Sequence, residues 1–166
     1  IDAATGLGNG WPLPAGPLRE PASRLGSVDA VIQVVRGPAP STVQPVAGWR
    51  ADYSAGQAYR LRDPLETMRL GELPPRDWLA VTGIGRPQGF FDMLLAQGIQ
   101  FSPRTFPDHH AFQPQDLPVD GAVLMTEKDA VKCNSFAGTD WSAVELNVAP
   151  ESGFIDWLDA RLKRTI

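Results

Sequence analysis

From Asp77 onward the sequence alternates short apolar runs with amphipathic stretches, and this alternation constrains the fold more than any other feature. DWLAVTGIG is an apolar run ending in a glycine turn. RPQGFFDMLLAQG follows, with Phe90, Phe91, Leu94 and Leu95 at helical spacing before Gly98, a natural stop. IQFSPRTF (interrupted by Pro103), AVLMTE and SAVELNVA supply three more strands. SGFIDWLDARLKR closes as a helix capped by Ser152, with Phe154, Leu158 and Leu162 on one face. Strands separated by helical crossovers imply a mainly parallel sheet covered on both faces. Residues 77–166 therefore read as a small α/β/α sandwich.

The upstream region has a different character. Residues 1–27 are turn chemistry followed by a short helix: Gly6, Gly8 and Gly10 permit positive φ, and Pro17 or Pro21 can open the helix in PLREPASRL. IDAATGLGNG reads as the end of a buried strand and its loop, so the sequence is expected to start in mid-domain, as part of a longer chain. Residues 28–76 read as a linker: a VDAVIQVV strand, a PAPSTVQP loop, and a small β ribbon over VAGWRADY and AYRLR.

Composition removes several function classes. A formal net charge of −4, with both signs interspersed, offers no basic footprint for nucleic acid. Cys133, the lone cysteine, cannot form an internal disulfide, and a reducing compartment is expected. No apolar run approaches the roughly 20 residues of a spanning helix, so membrane contact is expected to be peripheral.

Five stretches carry candidate chemistry, each with a plain structural alternative. TGLGNG either cradles an anion on its backbone amides or is a surface turn; it lacks the GxxxxGK[ST] and GxGxxG spacings. LPAGPLREP delivers Arg19 and Glu20 together at the start of a helix, where they either grip a phosphate and a magnesium ion or form an exposed pair. VTGIGRPQGFF places Gly83 and Gly85 before a helix N-terminus, suited to an anion or to tight packing. FPDHHAF holds the only two histidines, and since adjacent residues project in different directions, at most one serves a site. A carboxylate beside an imidazole, Asp108 beside His109, is a common way to prepare a proton carrier. MTEKDAVK crowds charge just beyond a strand, on the ligand side of the fold or simply in a solvated turn.

Taken in order, DAATGLGNGWPLPAGPLREP, the VDAV strand, VTGIGRPQGFF, FPDHHAF and MTEKDAVK resemble the carboxyl-terminal half of the tetraacyldisaccharide 4'-kinases, the lipid A 4'-kinases of Gram-negative bacteria. The resemblance implies a P-loop kinase of two α/β/α domains joined by a β ribbon, in which residues 1–27 are the tail of the P-loop domain. It implies transfer of the ATP γ-phosphate to the 4'-hydroxyl of tetraacyldisaccharide 1-phosphate, with ATP and Mg²⁺ as cofactors. Work at the cytoplasmic face of the inner membrane, by peripheral contact, is also implied. His109, next to Asp108, matches the histidine that helps activate the acceptor hydroxyl, and His110 is structural. Asn9, Arg19 and Glu20 fall near the nucleotide, Glu20 also near the metal. The family's Walker A lysine and hydroxyl, its acidic pair and the aspartate partner of the histidine do not occur in this sequence, so the missing amino-terminal segment is an expected partner and the chain alone is expected to be inactive. Thr5 stands where the family often has arginine. Two other readings compete: a non-catalytic binding or relic domain, and a metal phosphoesterase of the DHH type, which needs further Asp or His ligands.

Overall fold

The computed structural model describes residues 1–36 and 48–164, of Arg36 the backbone alone; the expected PAPSTVQP loop lies outside them. The chain falls into two compact units, residues 1–53 with 148–166, and residues 54–147. These bounds differ from the sequence blocks 1–27, 28–76 and 77–166, because the carboxyl-terminal helix groups with the amino-terminal segment.

In the first unit, β1 (Ile32–Arg36) runs parallel to the first half of β2 (Trp49–Arg60). Residues 1–3 lie along the other side of β1, with Val34 N donating to Ile1 O at 2.8 Å and Ala3 N to Val34 O at 2.9 Å. WRADY and AYR are thus not two strands of a ribbon but parts of one twelve-residue strand, Trp49–Arg60; Val46 and Ala47 of VAGWRADY lie outside the described residues. The helix expected in PLREPASRL is a 3-10 helix over Ala22–Ser27 with Pro21 at its N-cap, so Arg19 and Glu20 precede it rather than opening it. Helix α3 (Phe154–Lys163) starts at Gly153, whose φ of 90° lies in the region glycine favours; Ser152 does not cap it. Its anchor is aromatic. The Phe154 and Trp157 rings lie 5.5 and 5.8 Å from Trp49, while Leu162 is exposed.

In the second unit, β4 (Trp78–Thr82), β5 (Phe101–Thr105), β6 (Val123–Thr126) and β7 (Trp141–Pro150) pair in the order β7-β6-β4-β5, all parallel. β3 (Thr67–Arg69) adds antiparallel to β2. Alternation along the strands builds two cores. Ala80, Leu124 and Val144 face Phe90, Phe91 and Leu94 of helix α1 (Gln88–Ala96). Val81, Val123, Met125 and Ala143 belong with Ala130 and Cys133 of helix α2 (Glu127–Cys133). The sheet is therefore covered on both faces, the expected α/β/α arrangement. Leu95 departs from the expected apolar face and is exposed. Pro103 does not break β5, since β5 is an edge strand and a missing amide there leaves no ladder partner unsatisfied.

Candidate functional site

Parallel pairing decides where the motifs go. Thr82 of β4 is level with Thr105 of β5, and Val81 with Met125 of β6, so the three strands end together. From β4 the chain moves outward to β5, then returns past β4 to β6, which makes the gap between the carboxyl ends of β4 and β6 a topological switch point, where open α/β sheets bind ligands. The TGIG turn and the TEKD segment leave β4 and β6 at that gap, and the FPDHHAF loop leaves the adjoining end of β5.

The FPDHHAF loop is pinned at its start by Phe106 N donating to Thr82 O at 2.9 Å. Its two histidines are treated differently. His110 stacks on Phe106 at 4.6 Å between centroids and meets Phe112 edge-on at 4.9 Å. Its Nε2 lies 2.9 Å from Asp116 Oδ2, which also accepts from Gln113 N at 2.8 Å, and the His110 bond is the main reason the Asp116 carboxyl sits below the usual carboxylate range. His110 is thus built into the loop. His109, with φ 62°, adopts the left-handed conformation, which costs a non-glycine residue on the order of 1–2 kcal/mol, and its side chain is 79% exposed. Beside it, Asp108 Oδ1 accepts from Lys128 Nζ at 3.0 Å and from His109 N at 3.0 Å, and the His109 Nε2 stands 3.7 Å from Asp108 Oδ2. The Lys128 hydrogen bond, helped by the His109 charge, lowers the Asp108 carboxyl below its ordinary value. The arrangement offers an exposed imidazole, a group able to take up a proton, beside an ionised carboxylate.

TEKD is not a turn: Thr126 ends β6 and Glu127 begins α2, with Thr126 as N-cap accepting from Asp129 N. Asp129 is fully buried. Its Oδ2 accepts from Gly83 N at 2.9 Å and from the hydroxyls of Thr126 at 2.8 Å and Thr82 at 3.3 Å, and its Oδ1 pairs with Lys132 Nζ at 3.0 Å. In the sequence Lys128 and Asp129 stand out only as members of the charged MTEKDAVK cluster, with no individual role. The threonine followed three residues later by an acid is the helix-start signal that could have found the helix.

Among the first unit's candidates, Asn9 holds its own loop: Nδ2 donates to Ala15 O at 2.9 Å and Oδ1 accepts from Trp11 N at 3.1 Å. A Cβ at Gly16 would collide with that Oδ1 and with Trp11 O, so the close approach requires glycine. The amides of Gly6, Gly8 and Gly10 donate to Asp2 O, Thr5 O and Leu7 O, so TGLGNG is a run of closed turns rather than an open anion nest. Arg19 is exposed; Glu20 is exposed and pairs with Arg24 at 3.5 Å. A Mg²⁺ ion bound with nucleotide takes one or two carboxylates plus phosphate oxygens and waters, and Glu20 fits as one such ligand. Among the described residues no group of three His, Cys, Asp or Glu side chains is placed to hold a metal by itself. Asn9, Arg19 and Glu20 belong to one unit, Asp108 and His109 to the other.

Comparison with known proteins gives a consistent family. The sequence model described as Tetraacyldisaccharide-1-P 4'-kinase matches residues 1–163. A tetraacyldisaccharide 4'-kinase of Thiobacillus denitrificans is 65% identical over 163 residues, covering 98% of this chain and 50% of that protein. One from Pseudomonas paraeruginosa is 43% identical over 176 residues, covering 100% of this chain and 49% of its own length. Among solved structures, LpxK from Aquifex aeolicus, crystallised in complex with ATP, superposes with a TM-score of 0.70 at 22% identity, over 94% of this chain and 48% of that one. The chain therefore spans about half the length of the curated relatives it matches.

Proposed function

This chain belongs to the tetraacyldisaccharide-1-P 4'-kinase family, and from that premise we propose that it forms the acceptor-activating half of a lipid A 4'-kinase. The observation that carries the proposal is the exposed His109 beside Asp108 at the carboxyl edge of the parallel sheet. In this reading, His109 takes the proton of the acceptor 4'-hydroxyl as its oxygen attacks the γ-phosphorus of ATP. The γ-phosphoryl group passes to the sugar oxygen, and ADP leaves. Asp108, 3.7 Å from the His109 imidazole, holds the His109 backbone by accepting from its amide.

Arg19 and Glu20 act on the nucleotide side, Arg19 as a hydrogen-bond donor to phosphate oxygens and Glu20 as one ligand of Mg²⁺; Asn9 shapes the loop that presents them. Bound Mg²⁺ supplies charge neutralisation on the transferring phosphates. The sequence holds no GxxxxGK[ST] segment, so the phosphate-cradling loop must come from the remainder of the enzyme. The acceptor is a lipid, and in this reading the assembled enzyme works by peripheral contact at the cytoplasmic face of the inner membrane. No helix among the described residues is long and apolar enough to cross a membrane.

The test is transfer of labelled phosphate from Mg·ATP to tetraacyldisaccharide 1-phosphate, by this chain alone and by this chain joined to the remaining half of the Thiobacillus denitrificans relative. Transfer only by the joined protein is expected, with His109→Ala lowering kcat by roughly 10²-fold and His110→Tyr nearly silent. Equal losses for the two histidine variants, or silence of the joined protein, would defeat the proposal.

A further inference from the structure

We propose that the first turn of α2 sets the position of the Asp108–His109 loop, Asp129 holding the β4 turn from inside and Lys128 holding Asp108 from outside. The proposal rests on the reading of His109 as the acceptor-side base.

A carboxylate with no exposure is costly to desolvate, and a well-packed apolar group of similar size often serves stability as well or better. What Asp129 supplies instead is geometry. Its two oxygens receive four donors from three elements: the Gly83 amide and the Thr82 hydroxyl at the end of β4, the Thr126 hydroxyl at the end of β6, and Lys132 of α2 itself. The same β4 end carries the loop. Thr82 O accepts from Phe106 N at 2.9 Å, and a Cβ at Gly83 would stand 3.3 Å from both Asp129 Oδ1 and Pro107 O. A change in how Asp129 holds Thr82 and Gly83 therefore moves the base of FPDHHAF.

Lys128 precedes Asp129 by one residue, about 100° around the helix, so the two side chains leave α2 in different directions. While Asp129 points into the core, Lys128 Nζ reaches Asp108 Oδ1 at 3.0 Å. That oxygen is the one accepting from His109 N, and His109 has the unusual φ of 62°. Lys128 thus holds the carboxylate that holds the backbone of His109 in its left-handed conformation. Lys128 and Asp129 are positioning residues, since neither is required to touch the reacting atoms.

The experiment uses the joined kinase described above and measures kcat, KM for ATP and the imidazole carbon and proton resonances of His109 in the wild type, Lys128→Met, Lys128→Arg, Asp129→Asn, Thr82→Val and His109→Ala. Lys128→Met is expected to lower kcat on the order of tenfold with KM for ATP unchanged, because loss of alignment rather than of binding is involved, and to shift the His109 resonances. Lys128→Arg should restore most of both. Asp129→Asn should act in the same direction. Should it fail to fold, Thr82→Val, which removes a single donor to the same carboxylate, carries that arm with a smaller loss. Unmoved His109 resonances and wild-type kcat in Lys128→Met overturn the outer hold; the same result in Asp129→Asn, or in Thr82→Val, overturns the inner one. Full activity of His109→Ala would overturn the functional reading instead, and the resonances would still report whether α2 positions the loop.

Discussion

Replacing Phe112 by alanine tests whether the candidate loop is part of the core or merely lies on it. Phe112 is 5% exposed and belongs to the cluster containing Val81, Met125, Ala130 and Cys133. Its ring meets Phe106 and His110, each at 4.9 Å between centroids, and the Lys132 ammonium lies 5.5 Å from it. Removing a buried phenylalanine costs about 3–5 kcal/mol through lost transfer energy and the cavity left behind. Phe112→Leu, which refills most of the volume but loses two aromatic pairs worth about 0.5–1.5 kcal/mol each, should cost about 1–3 kcal/mol. With a urea slope of about 2 kcal/mol per molar, a 4 kcal/mol loss moves the midpoint down by about 2 M. Urea unfolding followed by tryptophan fluorescence reads this directly, since Trp141 lies in the same cluster. A second readout is alkylation of the buried Cys133, which the new cavity should accelerate. A loss below about 1 kcal/mol in Phe112→Ala, or one equal to that of Phe112→Leu, would refute the claim that the loop is anchored by core packing.

Three further outcomes follow from the same geometry. Asp108 and Asp116 have carboxyls held below their ordinary range, so their stabilising contribution is fully present above the unfolded-state value of about 4 and is lost as pH falls through the lowered ones; Lys128→Met should flatten the acid limb of a stability-versus-pH curve below about pH 4, and an unchanged limb would contradict the Asp108 assignment. The Cys133 thiol is pushed up to about 11 by burial, so native protein at pH 8 should react with a thiol reagent only as fast as it opens, whereas prompt reaction would mean the site is accessible. Trp49→Ala removes the aromatic contacts that seat α3 and should destabilise the first unit by roughly 1–3 kcal/mol, seen as lost amide protection in residues 154–163; protection equal to wild type would count against that packing.

Much of the fold was legible because the alternation of strands and helices along the chain and their face patterns are local properties. Apolar runs such as WLAVT and VLMT end at glycine or threonine, and their spacing fixes crossovers that make the sheet parallel. Errors arose where a neighbour rather than the local pattern decides. Leu95 has helical spacing but no layer to cover it, and Ser152 could cap α3 but Gly153 takes the N-cap position. Seven residues of α2 gave too short a period to distinguish a helix from a charged turn.

The sequence by itself determined which reactive groups exist and that their motifs follow strands: of the five candidate stretches, FPDHHAF alone contains imidazoles. Which imidazole is fixed and which is presented was a tertiary decision. His110 is taken by Asp116 and two aromatic rings, whereas His109 is turned outward by a left-handed backbone. The partners that set this, Lys128 for Asp108 and Asp129 for Gly83, are 20 and 46 residues apart along the chain. Such pairings carry no sequence period, because they come from strands ending at a common edge, and only a folded parallel sheet brings those ends together.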